Sequence, residues 1–148
     1  MATAVLTDTK ILATTFNDTF NAHNESAIKA LVSPSVRFTA PGGVRLVGKD
    51  AFAGYLVSWL KGFPDARMTV HHEIVSGPWV VQEYTFEGTH RGILSGPLGE
   101  ISPTNKKVAG NGVQLIKFEN DLVVDCRLYF DMVETLSQLG IMPIPVKA

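Results

Sequence analysis

The residue with the clearest capacity for proton transfer is Asp131, which ends a predicted strand just before a short predicted helix. A carboxyl group at the rim of an apolar pocket loses water, accepts a proton more readily and can act as a general acid or base. The same aspartate precedes Glu134 by three positions, a spacing typical of a helix capping box. A capping carboxylate accepts hydrogen bonds from backbone N–H groups and is a weaker base. Capping and catalysis are both open interpretations of Asp131.

Two histidines are further candidates. His90 lies where a strand meets a glycine-rich segment, so its imidazole could bind a ligand oxygen or exchange a proton, or could simply occupy a turn. His72 alternates in phase with Met68, Val70 and Ile74, which predicts that it faces the buried or pocket side of its strand. There it would be either a ligand contact or a core histidine with its hydrogen bonds satisfied.

Three more side chains suit a planar ligand that carries a carbonyl group. Gln114 lies among apolar residues of a predicted strand and could orient a carbonyl, while Tyr84 and Trp59 could stack on an aromatic ring. Each is also compatible with ordinary packing. The predicted partner of the site is therefore a small apolar or aromatic substrate.

An alternating set of polar residues near the end of the chain suggests a second chemistry. Asp125, Arg127, Tyr129 and Asp131 project from one face of their strand. Two acids held by an arginine can position a water molecule for attack on an epoxide. An epoxide hydrolase or isomerase that uses Arg127, Tyr129 and Asp131 is therefore one possible enzyme. A solvated strand face with weak ion pairs is the simpler interpretation of Asp125 and Arg127.

The composition predicts one globular domain over residues 1–148 and excludes several classes of protein. With 13 Lys and Arg against 14 Asp and Glu, the chain lacks the basic surface that attracts nucleic acids or acidic membranes. No apolar run approaches the roughly 18 residues of a membrane span, so a soluble, cytoplasmic protein is expected. One cysteine, Cys126, and four histidines without HxxxH or CxxC spacing predict neither a metal site nor a cofactor.

The elements that must position these residues follow from apolar periodicity. Three N-terminal helices are predicted from apolar residues three and four apart, with Thr7 or Asp8, Asn24 and Asp50 as their caps. The second helix is expected to reach Val32. From Ala66 onward the period is two, which predicts a run of strands. The predicted strands are Ala66 to Ile74, Trp79 to His90, Lys106 to Phe118 and Leu122 to Phe130. The last two are joined by a hairpin at Asn120-Asp121, and a short helix from Met132 to Leu139 follows them.

The segment from Gly92 to Asn105 is predicted to be a long loop because it is rich in glycine and proline. Its apolar residues, Ile93, Leu94 and Leu98, are expected to fold over an apolar surface. The whole order predicts an α+β domain, in which a strongly curved, cone-shaped antiparallel sheet is covered by the three N-terminal helices. The hollow between the layers would hold a small apolar ligand.

Six short segments, covering nearly the entire chain, carry a resemblance to a known family. They are Asn21-Ala22-His23, Gly48-Lys49-Asp50-Ala51-Phe52, Phe63-Pro64-Asp65, Gly88-Thr89-His90-Arg91-Gly92, Pro103-Thr104-Asn105-Lys106-Lys107-Val108, and Tyr129-Phe130-Asp131 running to Gln138-Leu139-Gly140. Together they resemble the polyketide cyclase family that includes the nogalamycin and aklavinone aldol cyclases. This resemblance implies the cone-shaped fold of nuclear transport factor 2 and ketosteroid isomerase, in a homo-oligomer of two or four chains.

The activity implied by the resemblance is an intramolecular aldol condensation without metal or cofactor. Asp131 stands at the position of the family's acid/base aspartate, and His90 matches the Gly-Thr-His motif, which implies a ligand-facing partner. The penultimate strand departs from the family pattern because residues Val113 to Phe118 include no histidine; Gln114 and Lys117 are the polar members there. Isomerisation, or ligand binding without catalysis, is the further alternative for the same hollow.

Overall fold

The computed structural model describes residues 8–96 and 99–142, and it confirms the predicted α+β class. Thr7, Leu98 and the remaining residues of the predicted 1–148 domain lie outside that range. The helices are α1 (Thr9–Asn21), α2 (Glu25–Ala30), α3 (Lys49–Gly62) and α4 (Met132–Gln138). The strands are β1 (Val32–Ala40), β2 (Val44–Val47), β3 (Arg67–Ser76), β4 (Trp79–Thr89), β5 (Leu94–Gly96), β6 (Gly99–Ile101), β7 (Lys107–Glu119) and β8 (Leu122–Phe130).

Six strands form one curved sheet in the order β2-β1-β8-β7-β4-β3, and α1 and α3 pack on it. All neighbours are antiparallel except β1 and β8, which run parallel. The predicted hairpin between β7 and β8 is confirmed, because Asn120 and Asp121 both have positive φ, 50° and 62°. That conformation fits the right-handed twist of the flanking strands.

Local capping signals place two of the three N-terminal helices where they were predicted. Asp8 accepts a hydrogen bond from Lys10 N at 2.8 Å, and Asn24 accepts one from Ala27 N at 3.0 Å. The prediction for the third helix is wrong by two residues, since Gly48 is the N-cap and Asp50 lies in the first turn. Gly48 has a φ of 106°, which only glycine adopts without strain.

The second helix is shorter than predicted. It ends at Ala30, and Val32 instead begins β1, opposite Val123. Pro34 disfavours the helical conformation at Ser33, the second residue of β1, so the helix could not have continued past Val32.

One extra residue in β3 reverses the alternation of its side chains. Val70 pairs with Tyr84 and His72 with Glu83, so His71 is left over as a bulge. Beyond the bulge Glu73, not His72, continues the half-buried face. The prediction that His72 and Ile74 face the buried side is wrong for this reason: the Ile74 side chain is 66% exposed, and that of His72 is 80% exposed.

The glycine-rich segment contains a small hairpin rather than only a loop. β5 and β6 pair antiparallel, and Leu94 is buried against Gly62 at the end of α3, which confirms that this segment covers an apolar surface. The backbone N–H groups of Arg91 and Gly92 both donate to the Gly62 carbonyl at 3.1 Å. Ile93 instead is exposed. These contacts hold the hairpin against α3, over the end of the helix.

The core lies between the helices and the sheet and is rich in phenylalanine. Phe38, Phe52 and Phe63 are fully buried, and the Phe38 and Phe52 ring centroids are 4.8 Å apart. Cys126 is a free thiol within this core, and burial raises its pKa. Among the described residues, none of the helices is both long and apolar enough to cross a membrane.

Candidate functional site

A cavity of about 760 Å³, including the part open to solvent, lies between α1, α3, α4 and the inner face of the sheet. Most of its lining is aromatic or aliphatic. The apolar and aromatic residues are Phe16, Phe20, Tyr55, Leu56, Trp59, Met68, Tyr84, Phe86, Val108, Leu128 and Phe130. Asn17, Asn111, Gln114, Asp131, Glu134 and Thr135 supply polar groups, and Gly110 completes the wall. The composition is that of a small-molecule site, with a few polar groups set in an apolar surface.

Trp59 and Tyr84, two of the predicted ligand contacts, both lie on the wall of this cavity. Trp59 also makes edge contacts with Phe86 and Phe130, with 5.6 Å between ring centroids in each pair. Trp59 is also stacked on Phe63, with 5.8 Å between ring centroids, and together these contacts fix the indole ring in the cavity wall.

Three buried amides form a hydrogen-bonded cluster at the polar part of the wall. Gln114 Nε2 donates to Asn17 Oδ1 at 3.0 Å and to Gln82 Oε1 at 2.8 Å, and Asn17 Nδ2 also donates to Gln82 Oε1 at 2.8 Å. Gln82 Nε2 donates to the carboxylate of Glu73. We call these four residues the amide relay. Gln114 itself is only 3% exposed and lines the cavity.

Two phenols provide further hydrogen-bonding groups. The hydroxyl of Tyr55 is buried and has no partner among the described residues, although buried tyrosine hydroxyls usually have one. Burial raises the pKa of Tyr55 to about 12, and burial also raises the pKa of Tyr84. Both phenols are therefore protonated at neutral pH.

Asp131 and Glu134 are the acidic residues of the cavity lining, within the described part of the chain. Asp131 is exposed, so it lies at the mouth. The predicted capping interaction is present: Asp131 Oδ1 accepts a hydrogen bond from Glu134 N at 3.0 Å, at the start of α4. Asp131 Oδ2 has no partner among the described residues. One carboxylate oxygen therefore caps the helix, and the other is left unpaired in an exposed side chain.

His90 does not line the cavity. Its ring is completely buried beside Phe63, with 5.3 Å between ring centroids. Nδ1 accepts a hydrogen bond from Thr104 N at 3.1 Å and lies 3.0 Å from Thr104 Oγ1, while Nε2 has no hydrogen-bond partner among the described residues. Burial lowers the pKa of His90, and the Ile101 carbonyl opposes this shift. Through its hydrogen bond with Thr104, His90 links the segment that follows β4 to the residues before β7, outside the cavity.

Two other predicted contacts also lie outside the cavity. His72 is on the solvent side of β3 and pairs with Glu83 at 3.0 Å. Tyr129 is 56% exposed and lies on the opposite face of β8 from Leu128 and Phe130. The structure therefore does not bring the candidate epoxide residues to one site.

Asp125 and Arg127 also differ from the predicted solvated face. Asp125 is buried, and it pairs with Arg127 at 3.2 Å and with Arg37 at 3.5 Å. Arg127 also lies over the Trp79 ring, 5.0 Å from the centroid. These contacts hold Arg127 on the outer face of the sheet.

Sequence reasoning missed Asn17, Gln82, Glu73 and Tyr55. Two of them carried a signal: Asn17 interrupts the apolar stripe of α1, and Gln82 shares the parity of Tyr84 on β4. Glu73 carried none, because the bulge changes its face. Among the described residues, no group of three or more His, Cys, Asp or Glu side chains is arranged to hold a metal ion.

The curved sheet, the covering helices and the cavity between them define a cone-shaped α+β protein of the nuclear transport factor 2 class. The chain belongs to the SnoaL-like polyketide cyclase family, whose model matches residues 10–139. No curated protein matches the sequence.

Three solved structures illustrate the likeness. AclR from Streptomyces galilaeus, a proposed hydroxylase, has a TM-score of 0.79 at 23% identity, covering 94% of this chain and 85% of AclR. A proposed SnoaL-like polyketide cyclase from Jannaschia sp. CCS1 has a TM-score of 0.81 at 16% identity, over 97% of this chain and 99% of that one. IdmH from Streptomyces antibioticus, a proposed polyketide cyclase, has a TM-score of 0.75 at 20% identity, over 90% and 99%. At these identities the similarity establishes a common fold.

Proposed function

We propose that this protein is a cofactor-independent cyclase, or a related lyase or isomerase, acting on a small, apolar, carbonyl-bearing compound such as a polyketide. The observation that carries the proposal is the cavity itself. An apolar chamber with an aromatic wall is combined with a carboxylate, Asp131, at its mouth. Membership of the SnoaL-like polyketide cyclase family supports the same class of reaction.

Asp131 is the proposed general acid and base. Its unpaired Oδ2 removes a proton from a carbon that a neighbouring carbonyl makes acidic, and the C–H electron pair becomes an enolate. In a cyclase, the carbanion carbon of that enolate attacks a second carbonyl of the same molecule, which forms a C–C bond and an alkoxide. Asp131 then returns the proton to the alkoxide. The hydrogen bond from Glu134 N to Oδ1 holds the carboxylate in place, and an apolar ligand over the mouth would exclude water from it.

Proton abstraction can be tested without the natural substrate. The probe is 2-tetralone, whose C1 methylene lies between a carbonyl and an aromatic ring. NMR measures the exchange of its C1 hydrogens for deuterium in D₂O. We expect the wild type to accelerate this exchange and Asp131→Asn to lose most of the acceleration, because asparagine caps a helix about as well as aspartate but cannot transfer the proton.

Asp131→Ala serves as the matched control for folding. It loses the cap as well as the carboxylate, so it should be less stable than Asp131→Asn by about 1 kcal/mol in urea denaturation. Equal exchange in wild type and Asp131→Asn would remove Asp131 from the mechanism. No acceleration by the wild type, together with binding of the probe, would favour a ligand-binding module of the same fold.

A further inference from the structure

The amide relay presents an acceptor to the cavity. Both hydrogens of Gln114 Nε2 are used, one on Asn17 and one on Gln82. Gln114 Oε1 receives no hydrogen bond from any described residue, although the side chain is 3% exposed and lines the cavity. An amide oxygen that has no protein donor and remains accessible at the wall of an apolar cavity is free to accept a hydrogen bond from a ligand.

The orientation of the relay follows from the charge at its outer end. The Glu73 carboxylate has no hydrogen to donate when ionised, so the Gln82 group that faces it must be the NH₂. Gln82 Oε1 then points inward and requires donors from both Asn17 and Gln114. With its NH₂ committed to those acceptors, Gln114 is left with only its carbonyl oxygen for the cavity. The reversed relay would bring the Gln82 oxygen against the Glu73 carboxylate, which is repulsive.

We infer that the cavity selects planar ligands that present a hydroxyl group, such as a phenol or an enol, to Gln114 Oε1. Glu73 is the positioning residue that sets this preference through Gln82. The inference rests on the proposed function in one respect, since it takes this cavity to be the ligand site. It reverses the role expected from the sequence, in which Gln114 would donate a hydrogen bond to a carbonyl. Gln114 distinguishes the enol form of a ketone from the ketone itself.

Binding, measured by titration calorimetry, tests the inference with three simple probes on the full-length protein. They are 2-naphthol, which donates a hydrogen bond, its methyl ether 2-methoxynaphthalene, which does not, and 2-acetylnaphthalene, which only accepts. We expect the wild type to bind 2-naphthol about tenfold more tightly than either of the others, the size expected for one hydrogen bond between ligand and protein. Equal affinities for 2-naphthol and the methyl ether would overturn the inference, and this comparison needs no variant.

Glu73→Gln tests the relay. Glutamine can donate as well as accept, so Gln82 and Gln114 become free to reverse and offer an NH₂ to the ligand. The preference for 2-naphthol over 2-acetylnaphthalene should fall from about tenfold to below about threefold. Glu83→Gln is the matched control, because it removes the same charge from the neighbouring strand, where Glu83 pairs with the exposed His72. It should keep the wild-type preference.

The outcomes separate the two proposals. An unchanged preference in Glu73→Gln, or an equal loss in Glu83→Gln, would overturn the positioning role of Glu73. If the wild type binds all three probes with equal affinity, the hydroxyl selection fails while the cavity remains a ligand site. If the wild type binds none of them, the cavity does not accept planar ligands, and the proposed function fails with the inference.

Discussion

Acidification below pH 6.5 should destabilise the protein through His90. The ring is completely buried, and burial lowers its pKa below the ordinary value of 6.5. Its Nδ1 accepts a hydrogen bond from Thr104 N, so a proton placed on Nδ1 would meet that N–H group. Protonation of the folded state is therefore opposed both by the loss of water and by the loss of this hydrogen bond.

The sign follows from the two pKa values. The folded-state pKa is below the unfolded-state value, so the unfolded chain binds more protons once the pH falls below about 6.5. The contribution to stability is complete above that pH and is lost as the pH falls toward the folded-state pKa. A folded ring that took up no proton at all would set the upper limit of this loss, about 1.4 kcal/mol between about pH 7.5 and 5.5. For a domain of this size, the fall in Tm is therefore at most about 3–6 °C.

The assay is thermal or urea unfolding of wild type and His90→Asn across this pH range. Asparagine offers an oxygen near the position of Nδ1 and can accept from Thr104 N, but it does not titrate. The other three histidines are present in both proteins, so the difference in pH dependence isolates His90. His90→Asn is expected to have a lower Tm at every pH and a flatter slope. Identical slopes would refute the assignment of a depressed pKa to a buried His90.

Two further predictions concern packing. Gly92→Ala should lower the free energy of unfolding by several kcal/mol, because its Cβ would lie 2.0 Å from the Lys61 carbonyl oxygen. Gly54→Ala, on the open face of α3, meets nothing within 4 Å and should stabilise the protein by up to ~1 kcal/mol. Urea denaturation that ranks the two variants in the opposite order would contradict this packing. Cys126 should react with a thiol reagent such as dithionitrobenzoate only after denaturation, because it is buried and its pKa is raised by burial; rapid reaction of the native protein would show that this part of the core opens.

The parts of the fold that could be predicted depend on short stretches of sequence. The Asp8 and Asn24 caps, the Asn120-Asp121 turn and the Asp131 cap each involve residues within three positions of one another. Such signals survive in any tertiary context because the hydrogen bonds are local. Asp50 was misplaced because Gly48, with its positive φ, can start the helix earlier than a side-chain cap would.

The site residues that were missed depend on contacts between distant parts of the chain. Asn17 meets Gln114 across 97 positions of sequence and Gln82 across 65. His90 was predicted from its neighbours in a motif, but its burial is decided by Phe63 and Thr104. Periodicity reports which face a residue occupies only while the alternation is unbroken, and it says nothing about which buried polar groups will find one another.

The bulge at His71 explains both the wrong face predicted for His72 and the failure to predict Glu73 as part of the site. Without it, strict alternation would place His72 on the inner face of β3 and Glu73 in solvent, and Gln82 would lose the carboxylate that orients it. A neutral histidine can donate or accept, so it would leave the direction of the relay undetermined. On the proposed role of Glu73, one inserted residue on an edge strand would therefore decide which atom of Gln114, two strands away, meets a ligand. The feature that made the sequence prediction fail is the one that would give the cavity its chemical preference, as expected where bulges re-aim side chains beside functional sites.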